Sequence, residues 1–129
     1  MTIFSKIIAG DIPCYKIAED DRYFAFLDIS PLQKGHTLVV PKHEVDYIFD
    51  LDDEELAGMQ VFAKKVALAI RKAIPCKKVG QCVIGLEVPH AHIHLVPMQS
   101  EDDIRLSNPH LKLTPEESKA IAASIRAQF

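Results

Sequence analysis

The sequence predicts an α+β fold: about five strands in one layer, crossed by one long helix, with a second helix near the C-terminus. Three observations carry this. Short apolar runs bounded by Gly, Pro, Asp and Asn recur at strand length (Tyr23–Leu27, His36–Val40, Val79–Ile84, Val88–Val96). Leu56, Met59, Ala63, Val66, Ile70 and Ala73 recur at spacings of three and four, the stripe of an amphipathic helix. At 129 residues, with 48% apolar and 26% charged side chains, the chain is one domain over residues 1–129 with a sizeable core.

In order, Ser5–Ala9 reads as a short helix closed by Gly10, with Pro13 just beyond it. Tyr15–Ala18 and Tyr23–Leu27 form a hairpin around Glu19-Asp20-Asp21. Asp28-Ile29-Ser30-Pro31 leaves that sheet, and Gly35 opens a third strand, His36–Val40, ended by Pro41. Asp52 is the N-cap of the long helix and Glu55 its N3 partner, the acid form of a capping box. Arg71 and Lys72 suit its C-terminal dipole, and Pro75 ends it. Val79–Ile84 and Val88–Val96 are two more strands joined around Gly85. Residues 98–113 read as a loop placed to cover a site. Thr114, Pro115 and Glu117 then open a helix that runs to Gln128: a capping threonine, proline at N1, glutamate at N3.

A net charge of −3 and the lack of a basic run argue against a nucleic-acid backbone as partner. An anionic ligand would need a local site of imidazoles and backbone N–H groups. The N-terminus lacks the basic and apolar regions of a signal peptide, and no apolar run nears the ~20 residues that span a bilayer, so no membrane partner is expected. Cys14, Cys76 and Cys82 form no Cys-x-x-Cys pair and fit reduced thiols in a cytoplasm.

Residues 88–97 read Val-Pro-His-Ala-His-Ile-His-Leu-Val-Pro. In an extended strand His90, His92 and His94 share one face, while Ala91, Ile93 and Leu95 share the other and can pack into a core. Three imidazoles contribute little to a core, because each brings ring nitrogens that need partners. The cluster therefore points to chemistry. Two chemistries suit it: metal ligation by neutral imidazole, and nucleophilic or acid–base work on a phosphate.

The string His-apolar-His-apolar-His-apolar-apolar from His90 to Val96 resembles the signature of the histidine triad family of nucleotide hydrolases and transferases. Three further segments stand in that family's order: Thr-Ile-Phe-Ser-Lys-Ile-Ile at 2–8, Phe-Leu-Asp-Ile-Ser-Pro at 26–31, and Gly-His-Thr-Leu-Val-Val-Pro-Lys-His at 35–43. The branch most similar is that of nucleoside phosphoramidases and nucleotide-binding proteins. The resemblance implies a five-stranded antiparallel sheet with a long helix, and a homodimer. It makes His92 the nucleophile on the α-phosphorus of a purine nucleotide conjugate. His94 and His90 would bind phosphate oxygens or orient His92, and His36 would approach from the neighbouring strand. Ile3, Phe4, Ile7, Phe26, Leu27, Asp28 and Ile29 would form the nucleoside pocket, with Asp28 accepting from the ribose hydroxyls. Backbone N–H groups near Leu86–Val88 would help to hold the phosphate.

The sequence departs from that pattern twice. Many bacterial members begin Cys-x-x-Cys and hold a structural zinc between those thiols and two histidines. Thr2 and Ser5 stand in the cysteine positions here, with His43 and His90 retained, so no metal and no cofactor is expected. Before the triad the family has an asparagine, a longer loop and Gly-Gln aimed at the phosphates. Here the run is Gly85-Leu86-Glu87-Val88-Pro89, and Leu86 replaces the glutamine. The expected activity is hydrolysis of purine nucleoside 5′-phosphoramidates or related conjugates through a nucleotidyl-histidine. The alternatives are a nucleotide-binding regulator with little turnover, a dinucleoside polyphosphate hydrolase and a histidine-cluster metalloprotein.

Overall fold

Alternation along one strand shows how the layers are built. In Tyr23–Leu27 (β2) every residue is buried, yet Tyr23, Ala25 and Leu27 pack on one side of the sheet and Phe24 and Phe26 on the other. The computed structural model describes residues 1–129. Its sheet has the order β1-β2-β3-β5-β4, antiparallel throughout, from Lys16–Glu19 (β1), β2, Thr37–Pro41 (β3), Lys78–Cys82 (β4) and Ile93–Met98 (β5). Helix α2, Asp53–Ala73, crosses one face, and α3, Pro115–Arg126, packs beside it against β1 and β2. The helix face holds the larger core, in which Met59, Ala63, Val66 and Ile70 of α2 meet Val39, Ile93 and Leu95. Apart from the smaller Ala63, each such side chain stabilises the fold by about 1.5–3 kcal/mol when fully buried.

The caps form as the sequence predicts. Asp52 accepts from the Glu55 N–H at 2.8 Å, and Thr114 and Glu117 close a reciprocal capping box. Gly35 has φ +96, and a Cβ there would lie within 3.2 Å of Ile74 and Pro97, so both conformation and space require glycine.

Several boundaries differ from the sequence reading. The first helix, α1, spans Ile3–Ile8 rather than Ser5–Ala9, because Thr2 caps it by accepting from the Ser5 N–H at 3.1 Å. β4 stops at Cys82, where exposed Val83 and Ile84 run out to a turn at Gly85 (φ +74). β5 begins at Ile93, not Val88. Upstream the chain bonds elsewhere: the Ala91 N–H donates to Val45 O at 2.7 Å and the His90 N–H to Val88 O at 2.8 Å. His90 and His92 therefore lie in the approach to the strand and only His94 within it. α3 ends at Arg126 rather than Gln128, and 3₁₀ turns appear at Ile48–Asp50 and Glu101–Ile104, the latter inside the segment expected to be loop. No helix is long and apolar enough to cross a membrane.

Candidate active site

The face opposite α2 carries a smaller core of Phe4, Phe24, Phe26, Leu38 and Val40, with Ile7 and Val88 at its edge. His94 pairs with Leu38 across β3 and β5 and so lies on this face. Ring centroids run 5.2 Å from His36 to His94, 4.9 Å from His94 to His92, and 5.1 Å from His92 to the edge-on ring of Phe4. Four histidines from two separate stretches of chain thus line one site, each nearly enclosed.

The hydrogen-bond partners fix which nitrogen of each ring carries the proton. His36 Nδ1 accepts from the Leu32 N–H at 3.0 Å, so its proton is on Nε2. That proton is donated to His94 Nδ1, 3.0 Å away, which leaves the His94 proton on Nε2. His92 Nδ1–H donates to the His90 carbonyl at 2.7 Å, so His92 Nε2 holds a lone pair. Neither His92 Nε2 nor His94 Nε2 has a protein partner, and no buried side-chain nitrogen or oxygen lacks one, so both atoms reach solvent. The site presents a bare imidazole nitrogen beside an imidazole N–H. Burial holds His36 and His94 at about 4, well below the ordinary imidazole value, so the neutral tautomers persist at pH 7.

His90 serves differently. Its Nε2–H donates to Pro41 O at 2.8 Å, and its Nδ1 accepts from the Thr2 hydroxyl at 2.8 Å. Both ring nitrogens are engaged within the protein, and it is the His90 carbonyl that meets His92. Ser5 Oγ, 3.2 Å from Thr2 Oγ1, donates to Glu44 Oε1 at 2.6 Å, and the Thr2 N–H donates to the same oxygen at 2.7 Å. These bonds, the Ser5 one foremost, pull the Glu44 carboxyl down to about 2. A hydroxyl network thus stands where the resemblance would place two zinc-binding thiols. His43 is turned away to Glu55, 3.3 Å distant, and is largely exposed. Two hydroxyls with His90 do not make a zinc site.

Asp28, His36 and His94 also bring ligand atoms within 4.8 Å of one another. A cation there would need the lone pair of His36 Nε2, but Nδ1 already accepts from a backbone N–H. Ligation would force an imidazolate or break the Leu32 bond, and the donor set opposes it.

The remaining expected pocket residues divide. Phe4, Ile7, Phe26 and Val88 gather on the triad face; Ile3 and Ile29 are 50% and 79% exposed, and Ile29 lines a separate cleft with Cys14, Tyr15 and Pro115. Asp28 is half-buried, with Oδ1 accepting from the Ser30 N–H at 2.8 Å and Oδ2 3.6 Å from His36 Nε2. Leu27 is a correction: strand alternation turns its side chain into the helix-side core, away from Phe26. The N–H groups of Gly85, Leu86, Glu87 and Val88 donate to no acceptor in the chain and border the triad. A cavity of about 860 Å³ adjoins His92, walled by Tyr47, Phe49, Leu56, Ile84 and Leu86. The sequence reading missed this wall, and the exposed aromatic pair Tyr47 and Phe49 was its one available signal. It also left His110 unplaced; the structure sets that ring against Ser30.

Comparison with known proteins gives one answer at family level. Residues 9–101 match the family model described as HIT domain. The adenosine 5′-monophosphoramidase hnt1 of Schizosaccharomyces pombe is 37% identical over 130 residues, covering 98% of this chain and 97% of that protein. A Hit-like protein of Bartonella henselae, described as involved in cell-cycle regulation and solved with an unknown ligand, superimposes with TM-score 0.86 at 31% identity, over 99% of this chain and 96% of that one. A zinc-bound histidine triad family protein of Mycobacterium smegmatis follows at TM-score 0.82 and 30% identity, over 98% and 91%.

Proposed function

This chain belongs to the HIT domain family, with a nucleotide hydrolase's kinship, and from that premise we propose that it cleaves purine nucleoside 5′-phosphoramidates or related conjugates through a nucleotidyl-His92 intermediate. The observation that carries the reading is the accessible lone pair on His92 Nε2, with Nδ1–H held by the His90 carbonyl at 2.7 Å. Attack on the α-phosphorus forms an N–P bond and breaks the bond to the leaving amine nitrogen, which takes a proton from solvent as it departs; the water of the second step returns one. Positive charge grows on the His92 ring during attack, and the carbonyl on Nδ1–H is placed to stabilise it. The His94 Nε2–H donates to a phosphoryl oxygen, its tautomer set by His36. Unpaired N–H groups of residues 85–88 supply further donors to the phosphate. Water then cleaves the N–P bond and releases the nucleoside monophosphate. Phe4, Phe26 and Ile7 face the base, and Asp28 Oδ2 accepts from the ribose. No lysine or arginine pairs with Asp28 or the triad, which favours amine over polyphosphate leaving groups.

The test is amine release from adenosine 5′-phosphoramidate by wild type and His92→Ala, with AMP binding measured on both. Turnover should fall on the order of 10³-fold or more in a folded variant. AMP binding without turnover by wild type would favour a nucleotide-binding regulator. That second reading draws on Leu86, which is 90% exposed and puts no side-chain donor where the family aims a glutamine.

We assign a homodimer to the face formed by edge strand β4 and α2, on which Val61 and Leu68 of α2 stand half-exposed. Sedimentation equilibrium tests it; a monomer at micromolar concentration overturns it.

A further inference from the structure

His110 lies in the segment between β5 and α3, 80 residues from the turn that it touches. Its Nδ1 sits 2.5 Å from Ser30 O and its Nε2 3.2 Å from Leu106 O. Carbonyls can only accept, so both ring nitrogens must donate, and only the imidazolium has two N–H groups. The next residue adds a third tie: the Leu111 N–H donates to Pro31 O at 2.8 Å. Asn108 closes the loop on itself, its side-chain amide donating to Asp102 O at 2.5 Å and its N–H to Arg105 O at 3.0 Å. A self-bonded loop is thus fastened to residues 30–31, directly after Asp28.

The charges facing His110 come from three stretches of chain. Asp28, on the turn after β2, and Glu87, on the loop between β4 and β5, both attract its proton, and His36, ahead of β3, feels its charge. The bonds to Ser30 O and then Leu106 O push the His110 ring above the ordinary imidazole value. Burial raises the Asp28 carboxyl; the Ser30 N–H bond opposes that rise most, then His94, then His110. Ser30, whose carbonyl meets His110, donates its own N–H to Asp28 Oδ1 at 2.8 Å, so the clasp and the expected ribose acceptor share one turn.

We propose that His110 is a positioning residue for the nucleoside site: as an imidazolium it clasps the 105–111 loop onto residues 30–31 and so holds the turn that aims Asp28 at the 2′- and 3′-hydroxyls. The inference rests on the nucleoside reading above and extends it to a segment outside the matched family model, which ends at residue 101. Its consequence is a proton-dependent affinity for ribose. As pH rises through the His110 value the ring can donate only one of its two bonds, the cation is lost, and ribose binding weakens.

The experiment is calorimetric binding of adenosine and of 2′,3′-dideoxyadenosine at pH 5.5, 7 and 8.5. Neither probe has a phosphate to titrate in this window, and His36 and His94 titrate at about 4, below it. Wild type should bind adenosine about fivefold more weakly at pH 8.5 than at pH 5.5, the upper range for an exposed charge interaction. His110→Ala should be weak and pH-independent, and His110→Arg, which keeps charge and donors, tight and pH-independent. The dideoxy probe should be insensitive to all three changes. Unchanged adenosine binding by His110→Ala overturns the inference and leaves the proposed function standing. Equal losses for both probes reduce His110 to a wall support and also overturn it. Failure of folded wild type to bind either adenosine or AMP overturns the nucleoside reading, and this inference with it.

Discussion

Moving from pH 7 to pH 5 should destabilise this fold through two imidazoles that touch each other. His36 and His94 are 1% and 9% exposed, and burial holds both at about 4, against 6.5 for an unperturbed imidazole. The unfolded chain therefore binds protons between those values that the folded chain refuses. Stability is complete above 6.5 and is lost as pH falls towards 4. For a pair of such groups the linkage relation gives about 2 kcal/mol each at pH 5, roughly 4 in all, against a total of about 5–15. His90, also held below the ordinary imidazole value by burial, adds to the loss; the other shifted groups fall outside this window or act against it. Glu44, drawn down to about 2, loses its contribution only below the ordinary glutamate value. Asp28 and His110, both raised, favour the folded state as pH falls. Urea unfolding at pH 7, 6 and 5 measures the loss, and His94→Asn, which removes one titrating ring, should lose only about half as much. Equal midpoints at pH 7 and 5, or an undiminished pH dependence in His94→Asn, would refute the reasoning.

Thr2→Val keeps the side-chain shape but removes the hydroxyl that caps α1 and donates to His90 Nδ1. It should cost about 1–2 kcal/mol in urea unfolding. Thr2→Cys combined with Ser5→Cys should install a zinc site on the proton-free His90 Nδ1. Elemental analysis should find about one zinc per chain in the double variant and none retained by wild type. Gly58→Ala would gain about 1 kcal/mol in an open helix. Here its Cβ would collide with the Tyr23 hydroxyl, held by its bond to Glu55 O at 2.8 Å, and the variant should instead lose about 1–3 kcal/mol by calorimetry.

The elements that local chemistry defines were legible in the sequence. Asp52 with Glu55, and Thr114 with Pro115 and Glu117, marked two helix starts to the residue, and the apolar run Tyr23–Leu27 marked β2. The histidine string located the site, and the segments around Phe4, Phe26 and His36 supplied most of its wall. What stayed hidden depends on distant partners. Val88–His92 has the alternation of a strand, but Val45 takes the bond that would have extended the ladder. Leu27 sits beside Asp28 in sequence, and only the strand's alternation sends it to the other side of the sheet. The engagement of His90 by Thr2 crosses 88 residues, and that of Ser30 by His110 crosses 80. No window of sequence contains either pair.

The sheet divides the work of this molecule. Eighteen buried apolar residues on the α2 side form the larger core, while only five stand on the triad side, two of them, Phe4 and Phe26, from the expected base pocket. Most of the buried apolar core therefore lies on the side of the sheet away from the triad face. Substitutions at Phe4, Phe26 or Ile7 can reshape what the pocket admits while the helix-side core stays packed. A scaffold with this asymmetry leaves room for inheritance to explore: descendants can trade one ligand for another without first having to solve folding again.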